Sequence, residues 1–479
     1  MSALCSTLGV CFRRAGMQTN TTQIFQLFAI RSSSLRRPSP NMQLMRPMTS
    51  STAGIQLVID KPECLMDEDI VVKATGLSPN NSVTILATAE HNGKLFWSHG
   101  LFRANDRGVV DLSTDTPING SYNEADPAGL VWSMVAAPWL PQHKRMFQAQ
   151  AIKPRVITFS VFPESDRPCD YLNDKTKLLA SVEHKRWYKS SNTRRIPIDH
   201  PRIRGTLFLP EGPGPFPGVI DIYGGLVPFM EGRAALLASR GFATMALAYM
   251  HEKGLPQKLR DIDLSYFEEA EKWFASIPEV RSDGLGVSSL CLGGAAGFWM
   301  AQNIPNIRAV VSINGMPFGL RFWAHNGLDM GYQTSIDETQ IELNQEAMSI
   351  TNVFSIPKVS FFKPWIHGAN LLVILGGDDL MMKKEHNVRL FEELMPPDYR
   401  HEKAELELYP GAGHLIEPPN TPLSRVIEGA YEAQIAYSVK ELKYQHNDLV
   451  LSGGYPKEHA AAQRGAWQQS LKFLKKHLF

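Results

Sequence analysis

Leu285-Gly286-Val287-Ser288-Ser289-Leu290-Cys291-Leu292-Gly293-Gly294 is the stretch on which the fold turns. An apolar run ends at a single cysteine, small residues follow, and Ala295 to Ala301 reads as helix. A strand that turns this sharply into a helix leaves one side chain exposed at its tip, the shape of a nucleophile elbow. Such a turn wants small residues two places either side of the nucleophile, where backbones crowd. The frame Ser289-Leu290-Cys291-Leu292-Gly293 fits, with Ser289 where glycine is more usual. The rival frame Gly286-Val287-Ser288-Ser289-Leu290 puts a bulky leucine at the last small position, so Ser288 is the poorer nucleophile. Cys291 is therefore the candidate nucleophile. A cysteine by itself is more often buried and inert, so partners must be found elsewhere.

Working outward, strands alternate with helices from about residue 195. Ile203 to Leu209, Gly218 to Tyr223, Ala243 to Tyr249, Ala309 to Ile313 and Leu371 to Leu375 read as strands. Arg233 to Arg240 and Leu264 to Ala275 read as helices. Near-continuous apolar strands between helices predict a parallel sheet covered on both faces. Two partners for Cys291 follow in the chain. The strand at Leu371 runs into Gly376-Gly377-Asp378-Asp379, which places a carboxylate just past a strand end. Leu406 to Tyr409 is the next strand-like run, and Pro410-Gly411-Ala412-Gly413-His414 is the loop beyond it. Nucleophile, acid, histidine is the chain order of an α/β-hydrolase triad. Chemistry alone does not separate Asp378 from Asp379; Asp379, deeper in the loop, is preferred. The oxyanion is expected on the backbone N–H of Leu292 and on one from Gly224 or Gly225. Periodicity is poor between about 317 and 365, which predicts an insertion over the site.

Upstream, residues 55 to 165 read as a small all-β sandwich of short strands, among them Ile70 to Ala74, Ser82 to Ala89, Leu95 to Trp97, Leu130 to Val135 and Val156 to Val161. Residues 166–200 read as a linker and 201–479 as the catalytic α/β-hydrolase domain. The first 54 residues hold six arginines, many Ser and Thr, and no acidic residue before Asp60. That is the composition of a mitochondrial transit peptide, or else of a disordered tail.

Bulk composition narrows the function classes. In 479 residues, 43% are hydrophobic and 20% charged, with a net charge of +1, so no electrostatic case exists for nucleic acid. Five scattered cysteines, Cys5, Cys11, Cys64, Cys169 and Cys291, form no CxxC pair, which predicts neither a disulfide framework nor a metal site. No apolar run approaches the roughly 18 residues of a membrane span.

With these residues in hand, the chain from about 55 to 479 resembles the acyl-CoA thioesterase and bile acid-CoA:amino acid N-acyltransferase family. The resemblance is carried by Arg204-Gly205-Thr206-Leu207-Phe208-Leu209-Pro210, Gly214-Pro215-Phe216-Pro217-Gly218, Leu247-Ala248-Tyr249, Tyr266-Phe267-Glu268-Glu269-Ala270 and Ile313-Asn314-Gly315. Its longest piece is Tyr409-Pro410-Gly411-Ala412-Gly413-His414-Leu415-Ile416-Glu417-Pro418-Pro419. The resemblance implies a β-sandwich joined to an α/β-hydrolase domain, with a Cys291, Asp379, His414 triad, since the family's acid is the second Asp of its Gly-x-Asp-Asp loop. It implies that the thioesterase branch carries Ser at the elbow and the N-acyltransferase branch Cys. The Tyr223-Gly224-Gly225-Leu226 loop also looks more like the acyltransferase version. The implied function is transfer of a fatty or bile acyl group from acyl-CoA to glycine or taurine; the alternative is hydrolysis to free acid and CoA. No cofactor is expected, CoA being part of the substrate. The acyltransferases of the family often end in a peroxisomal tripeptide, whereas this chain ends His477-Leu478-Phe479. Together with the arginine-rich start, this favours the mitochondrial matrix over a peroxisomal or cytosolic location.

Overall fold

The computed structural model describes residues 54–225, 229–343, 346–428 and 449–479, which all belong to one compact unit, Thr49–Phe479. The 1–54 segment, apart from Gly54, lies outside the described residues.

The N-terminal part is a sandwich. A three-stranded antiparallel sheet (Gln56–Ile59, Val72–Thr75, Val110–Asp111) faces a larger one. The larger sheet runs in the order Glu63–Leu65, Ala180–Trp187, Arg155–Pro163, Ser82–His91, Lys94–Arg103, Asn119–Gly120, with Val135–Ala136 also on Lys94–Arg103. Inward-facing Val83, Ile85, Ala87, Phe96, Phe102, Ile157, Phe159 and Val161 meet Leu57, Val72 and Ala74 in one core. Leu86, which breaks the alternation of its strand, is buried on the opposite face. There it packs with Phe162 and Tyr171, whose rings stack at 4.3 Å.

Two expectations fail here. Leu130 to Val135 is not a strand: Gly129–Trp132 forms one helical turn, and only Val135–Ala136 joins the sheet. All four residues of the turn are buried, and a short apolar run carries no periodicity that separates buried helix from buried strand. Residues 166–200 are not a linker either. Ala180–Trp187 pairs with both Arg155–Pro163 and Glu63–Leu65, and Arg194–Pro197 already belongs to the second sheet. The hidden strand buries His184 and Arg186 on its inner face, so its alternation does not read as apolar and polar.

The second sheet has eight strands: β1 (Arg194–Pro197), β2 (Arg204–Leu209), β3 (Phe216–Ile222), β4 (Ala243–Ala248), β5 (Val280–Leu290), β6 (Ile307–Ile313), β7 (Asn370–Gly376) and β8 (Ala404–Tyr409). Their order is β1-β2-β4-β3-β5-β6-β7-β8, antiparallel at β1 and β2 and parallel from β4 onward. This is the α/β-hydrolase order. Among the described residues the α-helices of this domain are α1 (Gly232–Ser239), α2 (Ser265–Ala275), α3 (Leu292–Asn303), α4 (Lys384–Arg389), α5 (Pro397–Lys403) and α6 (Pro456–Leu478).

The apolar strands are continuous because each face has its own cover. Leu371 and Val373 of β7 belong to the core on one side, which also takes in Phe267 and Phe274 of α2 and Phe298 and Trp299 of α3. Leu372 and Ile374 belong to the core on the other side, which also takes in Leu236 of α1 and Phe473, Leu474 and Leu478 of α6. The edge strand β8 has half-exposed residues throughout. Between β6 and β7 the chain makes short two-residue strands, such as the hairpin of Ala324–His325 with Leu328–Asp329 and the pairing of Ser335–Ile336 with Phe354–Ser355. The expected insertion thus holds little regular structure. It docks on the loop after β7 through Thr351 Oγ1, which donates to the Leu380 carbonyl at 2.8 Å.

Candidate active site

Three loops at the C-terminal edge of the parallel strands build the site, which is where open α/β sheets place ligands. The first is the elbow. Strand β5 ends at Leu290 and α3 begins at Leu292, so Cys291 alone makes the turn, at φ 57° and ψ −124°. For a residue with a side chain this backbone costs about 1–3 kcal/mol, so the surroundings must hold it. The Cys291 N–H donates to the Ile313 carbonyl at 3.0 Å, and its carbonyl accepts from Gly294 at 2.9 Å and Met316 at 3.2 Å. The small residues flanking it are required by contact. A Cβ on Gly293 would run into the Ile222 and Tyr223 carbonyls. Ser289 is buried and donates to the Val311 carbonyl at 2.9 Å, which its small side chain allows. Ser288, the rival nucleophile, lies within β5 and is 2% exposed, away from the tip.

The second loop follows β7. Asp379 turns one carboxylate oxygen onto the N–H groups of Met381 (2.8 Å) and Met382 (2.9 Å) and the other onto His414 Nδ1 at 2.7 Å. Asp378 faces away from His414. Its carboxylate accepts from the Gly454 N–H at 2.8 Å and pairs with Arg425 at 3.4 Å. The two neighbouring carboxylates are thus separated by their partners.

The third loop follows β8 and carries His414, which is fully buried. Its N–H donates to the Ser452 carbonyl at 2.8 Å. Its ring Nε2 is buried and makes no hydrogen bond within the protein. Cys291 lies close enough to the ring to raise its proton affinity; hydrogen bonds between such a pair are often long or poorly aligned in ligand-free sites. Burial alone would lower the affinity of the His414 ring for a proton. The Asp379 carboxylate, the Cys291 sulfur and the hydrogen bonding they offer outweigh it and raise the pKa well above the ordinary imidazole value. Because the folded value is raised, this stabilisation is complete below the unfolded pKa of about 6.5 and is lost as pH rises through the folded value. The Tm difference between wild type and His414→Gln is accordingly expected to be widest near pH 6 and to shrink at alkaline pH. A difference that widens with pH contradicts this assignment.

Sequence reasoning missed two residues that hold the His414 loop. Asn314, at φ 44°, donates from Nδ2 to the carbonyls of Gly413 (3.1 Å) and His414 (2.7 Å), while its Oδ1 accepts from Gly376 at 2.7 Å. One side chain therefore ties the ends of β6 and β7 to the histidine loop. His459 of α6 is buried and brackets the histidine. Its Nδ1 accepts from the Gly413 N–H at 3.1 Å, so its Nε2–H is the donor to the Leu415 carbonyl at 3.0 Å. Burial depresses its pKa to about 4, which keeps the ring neutral in this tautomer. Ile313-Asn314-Gly315 is visible in sequence as a motif, but its bonds are not. Nothing in sequence marks His459, which lies 45 residues beyond His414.

Of the expected oxyanion groups, Leu292 occupies the first turn of α3, where N–H groups have no partner within the helix. Gly224 lies against Cys291: a Cβ there would come 2.9 Å from Cys291 Cβ and 3.4 Å from Sγ. Glycine at this position keeps a side chain from crowding the sulfur. Tyr249 donates to the Tyr223 carbonyl at 2.9 Å and fixes the strand end before Gly224. Gly225 is buried at the following turn. Among the described residues no group of three or more His, Cys, Asp or Glu is placed to hold a metal, and no helix is long and apolar enough to cross a membrane.

Comparison with known proteins agrees with this architecture in both parts of the chain. Residues 67–200 match the family description "Acyl-CoA thioester hydrolase/BAAT N-terminal region", and 262–479 match "BAAT / Acyl-CoA thioester hydrolase C terminal". The mouse (Mus musculus) bile acid-CoA:amino acid N-acyltransferase is 34% identical over 86% of this chain and 96% of its own length. Mouse acyl-coenzyme A thioesterase 3 is 33% identical over 87% and 92%. Human (Homo sapiens) acyl-coenzyme A thioesterase 2, mitochondrial, is 31% identical over 87% and 82%. The chain belongs to the family of acyl-CoA thioester hydrolases and bile acid-CoA:amino acid N-acyltransferases.

Proposed function

We propose that this enzyme cleaves acyl-CoA thioesters through an acyl-cysteine intermediate on Cys291 and passes the acyl group of a fatty or bile acyl-CoA to the amine of glycine or taurine. The observation that carries this is a cysteine at the strained tip of the elbow, beside the buried His414–Asp379 pair. His414 Nε2 takes the proton from the Cys291 thiol. The thiolate adds to the thioester carbonyl, and the oxyanion lies at the Leu292 N–H and the Gly224 loop. Collapse breaks the bond to the CoA sulfur, which leaves with the proton from His414. The acceptor amine then attacks the acyl-cysteine, gives its proton to His414, and Cys291 leaves as thiolate to be reprotonated. The reaction uses no cofactor beyond the CoA of the substrate.

Hydrolysis, with water in place of the amine, is the second reading, and relatives named as thioesterases support it. Cysteine at the elbow favours the first, because an acyl thioester is attacked readily by amines, so a held amine competes with water. Purified protein given acyl-CoA with and without glycine or taurine is expected to form the N-acyl amino acid in step with CoA release, read by mass spectrometry. If free acid is the sole product at saturating amine, amino acid transfer is wrong and the thioesterase reading stands. A mitochondrial matrix location is the favoured address, supported by the arginine-rich, acid-free first 54 residues.

A further inference from the structure

The sandwich contains a charge cluster that the chemistry at Cys291 does not use. Arg155 and Arg186 stand directly opposite each other on neighbouring antiparallel strands, and Cys64 is opposite Arg186 on the next strand. Arg155 is 5% exposed and Arg186 fully buried. Arg186 Nη2 donates to the carbonyls of Met66 (3.1 Å) and Glu68. The remaining guanidinium nitrogens, Nε and Nη1 of Arg186 and all three of Arg155, make no hydrogen bond within the protein.

The nearby carboxylates are engaged elsewhere. Asp67 takes Arg240 at 2.6 Å and 2.9 Å and Trp467 Nε1 at 2.8 Å. Glu68 pairs with Arg240 at 3.4 Å and Lys61 at 3.9 Å. Asp69 is exposed and reaches neither arginine by hydrogen bond or ion pair. His184, beside them, is occupied by the Lys61 carbonyl at 2.9 Å and Cys64 at 3.5 Å.

An arginine does not escape burial by losing its proton. Two adjacent buried guanidinium groups with five nitrogens unpartnered and no carboxylate bonded to either are strongly unfavourable, since each loses water and repels the other. Five N–H-bearing nitrogens on one patch match the acceptor oxygens of a single tetrahedral anion, which fork-like guanidinium groups bind bidentately. We propose that Arg155 and Arg186 form a binding site for a phosphate-class oxyanion, supplied either as inorganic phosphate or as a phosphate group of CoA. Through Arg186 the anion braces the Met66–Glu68 loop. That loop also receives Arg240, Trp467 and Asn420 from the α/β domain, so occupancy stiffens the seam between sandwich and catalytic domain.

The test is the melting temperature of the full chain in phosphate-free buffer. It is titrated with sodium phosphate, CoA or dephospho-CoA against sodium chloride of equal ionic strength, for wild type, Arg155→Met and Arg155→Lys. A saturable phosphate-dependent rise is expected in wild type, absent in Arg155→Met and needing about tenfold more phosphate in Arg155→Lys. In phosphate-free buffer Arg155→Met is expected to melt no lower than wild type, because the substitution removes an unpaired buried charge. A rise with CoA that depends on Arg155, without one for phosphate, assigns the site to the substrate's phosphates, and its loss with dephospho-CoA identifies the ribose phosphate. If no ligand shifts wild type beyond chloride, or if the shifts are equal in all three proteins, the proposal is overturned. Should Arg155→Met not fold, the wild-type titration and the Arg155→Lys comparison decide it by the same criteria.

Discussion

Cys291→Ala is expected to abolish CoA release from acyl-CoA, by about 1,000-fold or more, and to leave no acyl-enzyme detectable by intact-mass spectrometry. The fold should survive. Alanine carries the same Cβ, so the strained φ of 57° is no worse, and the backbone bonds from Cys291 to Ile313, Gly294 and Met316 do not involve the sulfur. Acyl-CoA binding should persist for the same reason, so the loss falls on turnover. Cys291→Ser is the informative companion. It keeps a nucleophile beside His414 but makes the intermediate an oxygen ester, which amines attack less readily than a thioester. Its residual activity should therefore lean toward free acid over amide. Full CoA release by the alanine variant would remove Cys291 from the chemistry altogether.

What the sequence discloses divides along a physical line. Apolar strands β4, β6 and β7 sit between two helical layers, so their composition alone identifies them. The elbow is legible because packing constrains it: Gly293 sits where the Ile222 and Tyr223 carbonyls leave no space for a side chain. Asp379 and His414 are legible because each follows a strand and the chain order is fixed. The strand Ala180–Trp187 is hidden because its inner face carries His184 and Arg186 in place of apolar residues. The helical turn at Gly129–Trp132 is hidden because burial on every side erases periodicity. Asn314 and His459 are hidden for another reason. Their role consists of hydrogen bonds to the backbone of a distant loop, and any polar residue of suitable reach looks the same in one dimension. Supports of this kind are the ones a sequence discloses least, since they act through backbone geometry that only the folded chain creates.

Asp379→Asn is expected to lower turnover by about 1,000- to 10,000-fold with a smaller effect on acyl-CoA binding, whereas Asp378→Asn should stay within about threefold of wild type. The two differ by one position and by their partners. In Asp379 one carboxylate oxygen is held by the N–H groups of Met381 and Met382 and the other accepts from His414 Nδ1. In the asparagine variant the amide oxygen remains on the two N–H donors, which leaves the NH2 group facing His414. Nδ1 must then accept, the ring proton moves to Nε2, and Nε2–H is turned toward Cys291, where it no longer takes the thiol proton. The part of His414's raised proton affinity that rests on the Asp379 charge disappears with it. In Asp378→Asn the amide oxygen still accepts from the Gly454 N–H, and what weakens is a half-exposed pair with Arg425. Steady-state rates of CoA release for the two variants, compared at saturating acyl-CoA, decide the assignment. A severe defect in Asp378→Asn with a mild one in Asp379→Asn would reverse the roles of the two carboxylates. Equal defects would mean that the loop acts through its fold and not through one charge.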